Sequence, residues 1–121
     1  MSYIKKRGLS FRYAFNGLAA AFKEPNFRIQ SVIALVVIAL GIGFDICKYE
    51  WCIIIGCCIL VLSLELVNSA IERMCNMVTM EVNPHIKFIK DICAAAVLIA
   101  SAGSFVIGLM VFIPYLRKFF S

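Results

Sequence analysis

The stretch LVLSLELVNSAIERM, residues 60 to 74, places Glu65, Asn68 and Glu72 in an otherwise apolar run that reads as one helix. At about 100° per residue these three positions fall within about 60° of one another, so two carboxylates and an amide share one face. Ionisable groups inside a membrane are expensive, by roughly 2.5 to 3.5 kcal/mol each for Asp, Lys or Arg on insertion scales, and so mark function by default. A lone acid at such a depth would be protonated or paired, and a like-charged neighbour on its face makes a bound cation an attractive partner. Oxygen ligands suit a hard ion such as magnesium, and the sequence has no histidine or thiolate at a soft-metal spacing. The single His85 reads as a solvated loop residue.

The elements that must carry this face are membrane spans. Of 121 residues, 63% are hydrophobic and 16% charged, far more apolar than a soluble domain of this size needs. Residues 29–46, 51–71 and 92–113 are each about the ~20 residues that a helix needs to cross a ~30 Å hydrocarbon core. The expected fold is an all-α membrane protein of three transmembrane helices in a single domain, 1–121. A secretory signal fits poorly: the first apolar run begins some two dozen residues in, and no small-residue cleavage site follows it. The six cysteines lack CxxC pairing and read as small apolar filler.

Six of the 12 basic residues (5, 6, 7, 12, 23 and 28) precede the first span and three (73, 87 and 90) lie between the second and third. Lys48 alone sits in the first link, and Arg117 and Lys118 follow the third span. This asymmetry predicts a multi-pass protein of the cell (cytoplasmic) membrane with its N-terminus in the cytoplasm. Tyr49, Trp51, Phe112 and Tyr115 would then form an aromatic belt at the outer interface. Anionic lipid accounts for the net charge of +5, and no nucleic acid is needed.

Before the first span, residues 9–24 set Phe11, Phe15, Leu18 and Phe22 on one face and Arg12, Asn16 and Lys23 on the other. The pattern predicts an amphipathic helix lying in the cytoplasmic interface, ended near Glu24 by Pro25. If the second span starts near Trp51, Glu65 lies ~21 Å along it and Glu72 ~31 Å, at the inner surface. Glu24, Lys90 and Asp91 arrive at the same surface. Magnesium, a lysine and a base there suggest phosphoryl transfer, with a carboxylate accepting the proton of a lipid hydroxyl. No Gly-rich phosphate loop or protein-kinase pattern is present, so a nucleotide would be held in an unrelated way.

ELVNSAIE (65–72), the downstream Lys90-Asp91 pair, AAAVLIA (94–100) and RYAFNGLAAAFKEPNFR (12–28) together resemble the prokaryotic diacylglycerol kinase family, small membrane lipid kinases that include undecaprenol kinases. The resemblance covers nearly the whole chain. It implies a homotrimer whose sites are shared between neighbours and which transfers the γ-phosphate of MgATP to a lipid hydroxyl. By motif position, Glu65 would be the general base, and Glu24 and Glu72 would hold Mg2+ and contact the nucleotide. Asn68, Lys90 and Asp91 would arrange the phosphates, with Tyr13 near the nucleotide. Glu81 and Asn83 would contribute from the loop before the third span. That loop reads Glu81, Val82, Asn83 where the family often has an acid, an aromatic and a histidine, and Ile89 stands where an alanine usually precedes the Lys-Asp pair. The rival class is a non-enzymatic cation-binding or ion-transporting membrane protein, but a transporter would need polar groups through the whole bilayer, and the outer half of this chain is dry. Diacylglycerol is the expected substrate and undecaprenol the alternative.

Overall fold

Ser2 accepts a hydrogen bond from the backbone N–H of Lys5 at 3.3 Å and so caps the first helix of a computed structural model that describes residues 2–121. Four helices follow one another among the described residues: α1 (Tyr3–Ala21), α2 (Pro25–Phe44), α3 (Lys48–Val78) and α4 (Pro84–Phe120). The last three are long and apolar enough to cross a membrane. At 1.5 Å per residue, the 20 residues of α2 span ~30 Å, whereas the 31 of α3 and 37 of α4 reach ~46 and ~55 Å. Both long helices therefore continue past the hydrocarbon thickness.

Local chemistry sets the ends. Pro25 and Pro84 occupy first-turn positions, where their missing N–H leaves no bond unmade. Asn83 Oδ1 accepts from the N–H groups of His85 and Ile86 at 2.9 and 3.3 Å, which caps α4. Asp45 closes α2 in a left-handed conformation, φ 53°. Glu50 reaches back to the Cys47 N–H at 3.1 Å and also accepts from the Tyr115 hydroxyl, so α3 is capped and tied to α4 through one carboxylate.

The tightest packing surrounds the α2–α3 link, where Ile46, Ile54, Val111 and Phe112 are buried and Phe44, Trp51 and Tyr115 pack on them. Gly41 is required there: a Cβ would lie 2.8 Å from Trp51 Cη2. The three spans part around two cavities, one starting beside this cluster at Ile54 and Phe112 and one farther along at Glu65, and most of their apolar side chains face outward.

The elements depart from the apolar stretches in three places. The helix expected over 9–24 runs from Tyr3 to Ala21, because Ser2 supplies an earlier cap, and Pro25 opens α2 rather than closing α1. The run expected over 29–46 ends as helix at Phe44, and Ile46 turns into the core. The helical segments around 51–71 and 92–113 extend well beyond their apolar centres, since hydropathy marks lipid-facing length and not helix length. The face of α1 that bears Phe11 and Phe15 is exposed in this chain; at its end Phe22 packs edge-on against Phe27, with ring centroids 5.1 Å apart.

Candidate active site

Glu65 is 3% exposed and Asn68 7%, the two buried polar residues among those described. Spacings of three and four residues put them on one face of α3 with Glu72, and that face lines a cavity of about 360 Å³. Asn26 and Gln30 of α2, and Ala94 and Ser101 of α4, complete much of its wall. The small Ala94 leaves room where a larger side chain would fill the space opposite the carboxylates.

Within the cavity, Asn68 Nδ2 donates to Glu72 Oε1 at 3.3 Å. Asn68 Oδ1 is buried and has no hydrogen-bond partner. The ion pair formed among the described residues joins Lys87 to Asp91 at 2.6 Å, on an exposed part of α4, so neither Glu65 nor Glu72 has a basic partner. Two carboxylates thus share one half-enclosed space with no positive charge among the described residues to balance them, and the unsatisfied amide oxygen of Asn68 is buried beside it. Such a site calls for a cation or for hydrogen-bond donors from a ligand.

The other residues singled out from the sequence stand outside the cavity lining. Lys90 donates to Asn76 Oδ1 at 2.6 Å, and Asn76 lies one helical turn beyond Glu72. Asp91 is engaged by Lys87. Glu24 is exposed at the start of α2, where its backbone carbonyl accepts from the Arg28 N–H. Tyr13 is exposed on α1. Glu81 is exposed in the α3–α4 loop, held through its N–H to Thr79 Oγ1, and Asn83 is occupied in capping α4. Among the described residues, no group of three or more His, Cys, Asp or Glu side chains is close enough to hold a metal by itself.

The structure adds Asn26, Gln30 and Ser101, which the sequence reading passed over. Gln30 is the one amide of the 29–46 run and Ser101 one of two serines, with Ser104, in the 92–113 run, a weaker form of the signal that drew attention to Asn68. Gln30 Nε2 donates to Ser101 Oγ at 3.4 Å, linking α2 to α4.

Residues 12–112 match the family described as prokaryotic diacylglycerol kinase. A protein of Bacillus subtilis (strain 168) named undecaprenol kinase is 35% identical over 108 residues, 88% of each chain. A Pseudomonas aeruginosa protein named diacylglycerol kinase is 36% identical over 89 residues, 73% of this chain and 72% of that one. An Escherichia coli (strain K12) protein of the same name is 33% identical over 89 residues, 73% of each.

Proposed function

Because the chain belongs to the prokaryotic diacylglycerol kinase family and is an integral membrane protein, we propose that it transfers the γ-phosphate of MgATP to the hydroxyl of diacylglycerol, giving phosphatidic acid. The observation that carries this reading is Glu65, a buried carboxylate on the wall of a cavity shared with Asn68 and Glu72. In the reaction Glu65 accepts the proton of the lipid hydroxyl as its oxygen attacks the γ-phosphorus, and ADP leaves with the electrons of the broken P–O bond. Asn68 fixes Glu72 through its amide nitrogen. Lys90, carried one turn beyond Glu72 by its bond to Asn76, brings positive charge toward the phosphates. Tyr13, Glu24, Glu81, Asn83 and Asp91 form the remaining nucleotide surface.

Glu72 suits a hard divalent cation, and Glu24 adds a further carboxylate. Mg2+ bound there with the nucleotide supplies neutralisation of phosphate charge. Since Glu24 does not line the same cavity within one chain, the complete site assembles between neighbouring copies in a homotrimer. The basic residues clustered near Glu24 and Glu72 orient this surface toward the cytoplasm.

Undecaprenol is the second reading, favoured by the 35% identity to the Bacillus subtilis protein of that name. The test is labelled phosphate transfer from MgATP, using the purified oligomer in mixed micelles with dioleoylglycerol or undecaprenol. Labelled phosphatidic acid as the main product is expected. Labelled undecaprenyl phosphate alone would give the chain to the second reading, and no lipid product would leave a cation-binding membrane protein.

A further inference from the structure

Beside the acidic cavity lies a second one of about 460 Å³, enclosed by α2, α3 and α4 and walled almost wholly by apolar side chains such as Ile33, Val37, Val61 and Leu109. Two residues line both: Gln30 and Ser101. They stand at the border between the acidic space and the apolar one. A lipid alcohol with its hydroxyl at Glu65 and its chain in the apolar space would lie across this border. The atoms just behind its hydroxyl therefore lie against an amide and a hydroxyl.

Those atoms differ between lipid classes. In a 1,2-diacylglycerol the carbon beside the hydroxyl-bearing one carries an ester, whose carbonyl is a good acceptor. In a polyprenol, hydrocarbon runs up to the hydroxyl-bearing carbon. The Gln30 amide has two N–H donors, and the one it gives to Ser101 spans 3.4 Å, near the outer limit of a hydrogen bond, so a better acceptor can displace it.

We propose that Gln30, backed by Ser101, is a specificity-determining pair at the border of the two cavities that recognises the ester carbonyl of an acylglycerol acceptor, and that it favours such lipids over polyprenols. This rests on the lipid-kinase reading. An ester carbonyl offers Gln30 a better acceptor than the long bond to Ser101, whereas a polyprenol offers none and leaves that bond as it is, so the ester alone gains a hydrogen bond.

The test measures kcat and KM of the full-length protein in mixed micelles with MgATP and three acceptors: dioleoylglycerol, its diether analogue lacking both carbonyls, and undecaprenol. Wild type is expected to prefer the ester over the ether by about three- to tenfold, mainly through KM, as one neutral hydrogen bond would give. Gln30→Leu should erase that ester-over-ether preference and lower the ratio of diacylglycerol to undecaprenol turnover by a similar factor. A wild type that treats ester and ether alike overturns the proposal without recourse to any variant. So does Gln30→Leu retaining the wild-type ester preference, or exclusive use of undecaprenol by wild type; in each case lipid kinase activity stands. Failure of the folded wild type to label any of the three overturns both this inference and the reading beneath it.

Discussion

Glu65→Gln keeps the shape of the side chain and removes its charge, and the site's geometry gives opposite signs for its two effects. Glu65 and Glu72 are separated by seven residues, ~10 Å of helix axis, on one face. At an effective dielectric of ~20, two full charges at that spacing repel by roughly 1.5 kcal/mol. Neither has a basic partner among the described residues, so in EDTA the substitution should leave the unfolding midpoint of the protein unchanged or raised. Turnover should move the other way, because loss of a positioned general base costs about 10²- to 10⁴-fold, equivalent to about 2.7 to 5.5 kcal/mol in barrier height. Thermal unfolding and labelled phosphate transfer on the same preparation read both quantities. Turnover within tenfold of wild type would remove Glu65 from the role of base. A fall of several degrees in midpoint with turnover lost would make it a structural carboxylate.

Other substitutions test the scaffold. Gly41→Ala gains ~1 kcal/mol of helix propensity but drives a methyl into the Trp51 ring, where overpacking costs about 1 to 3 kcal/mol; a net loss of up to about 2 kcal/mol is expected in equilibrium unfolding. Asn83→Ala removes the cap accepted by His85 and Ile86 and should cost about 1 kcal/mol, with faster amide hydrogen exchange confined to the first turn of α4. If Glu24 serves a neighbour's cavity, oligomers mixed equally from Glu24→Gln and Glu65→Gln chains should recover about one quarter of wild-type activity, whereas sites complete within one chain would recover none.

The chemistry of the second span was legible because an apolar background makes polar residues conspicuous: Glu65, Asn68 and Glu72 stand out within residues 60–74, and helical spacing alone puts them on one face. Gln30 and Ser101 carry the same signal in weaker form. A single amide near the start of a span reads as an interfacial residue, and a serine within a helix readily satisfies itself on its own backbone, so neither announces a partner 71 residues away. Lys90 was expected near the phosphates, and its bond to Asn76 could not be foreseen, since that depends on how far α3 continues past the lipid boundary. Helix ends followed capping chemistry at Ser2, Asp45 and Asn83 and were not marked by hydropathy. Tyr13, Glu24 and Glu81 lie on exposed segments apart from the cavity, where helical spacing relates none of them to the face of α3.

The orientation of Asn68 bears on what the cavity receives. Turning its amide over would bring Oδ1 against the Glu72 carboxylate, acceptor against acceptor, so the bond from Nδ2 to Glu72 fixes the oxygen away from it. That oxygen is then buried without a donor, a condition that costs about 1 to 3 kcal/mol. If Asn68 served only to join helices, a donor on α2 or α4 would be expected to meet it. Instead the charged groups of the wall are two carboxylates, beside the neutral donors Asn26, Gln30 and Ser101. Nucleotide phosphates are anionic, and such a surface by itself repels them. A divalent cation between protein and phosphate satisfies both sides at once, and this is the physical argument for Mg2+ arriving with the nucleotide and not as a resident ion of the single chain.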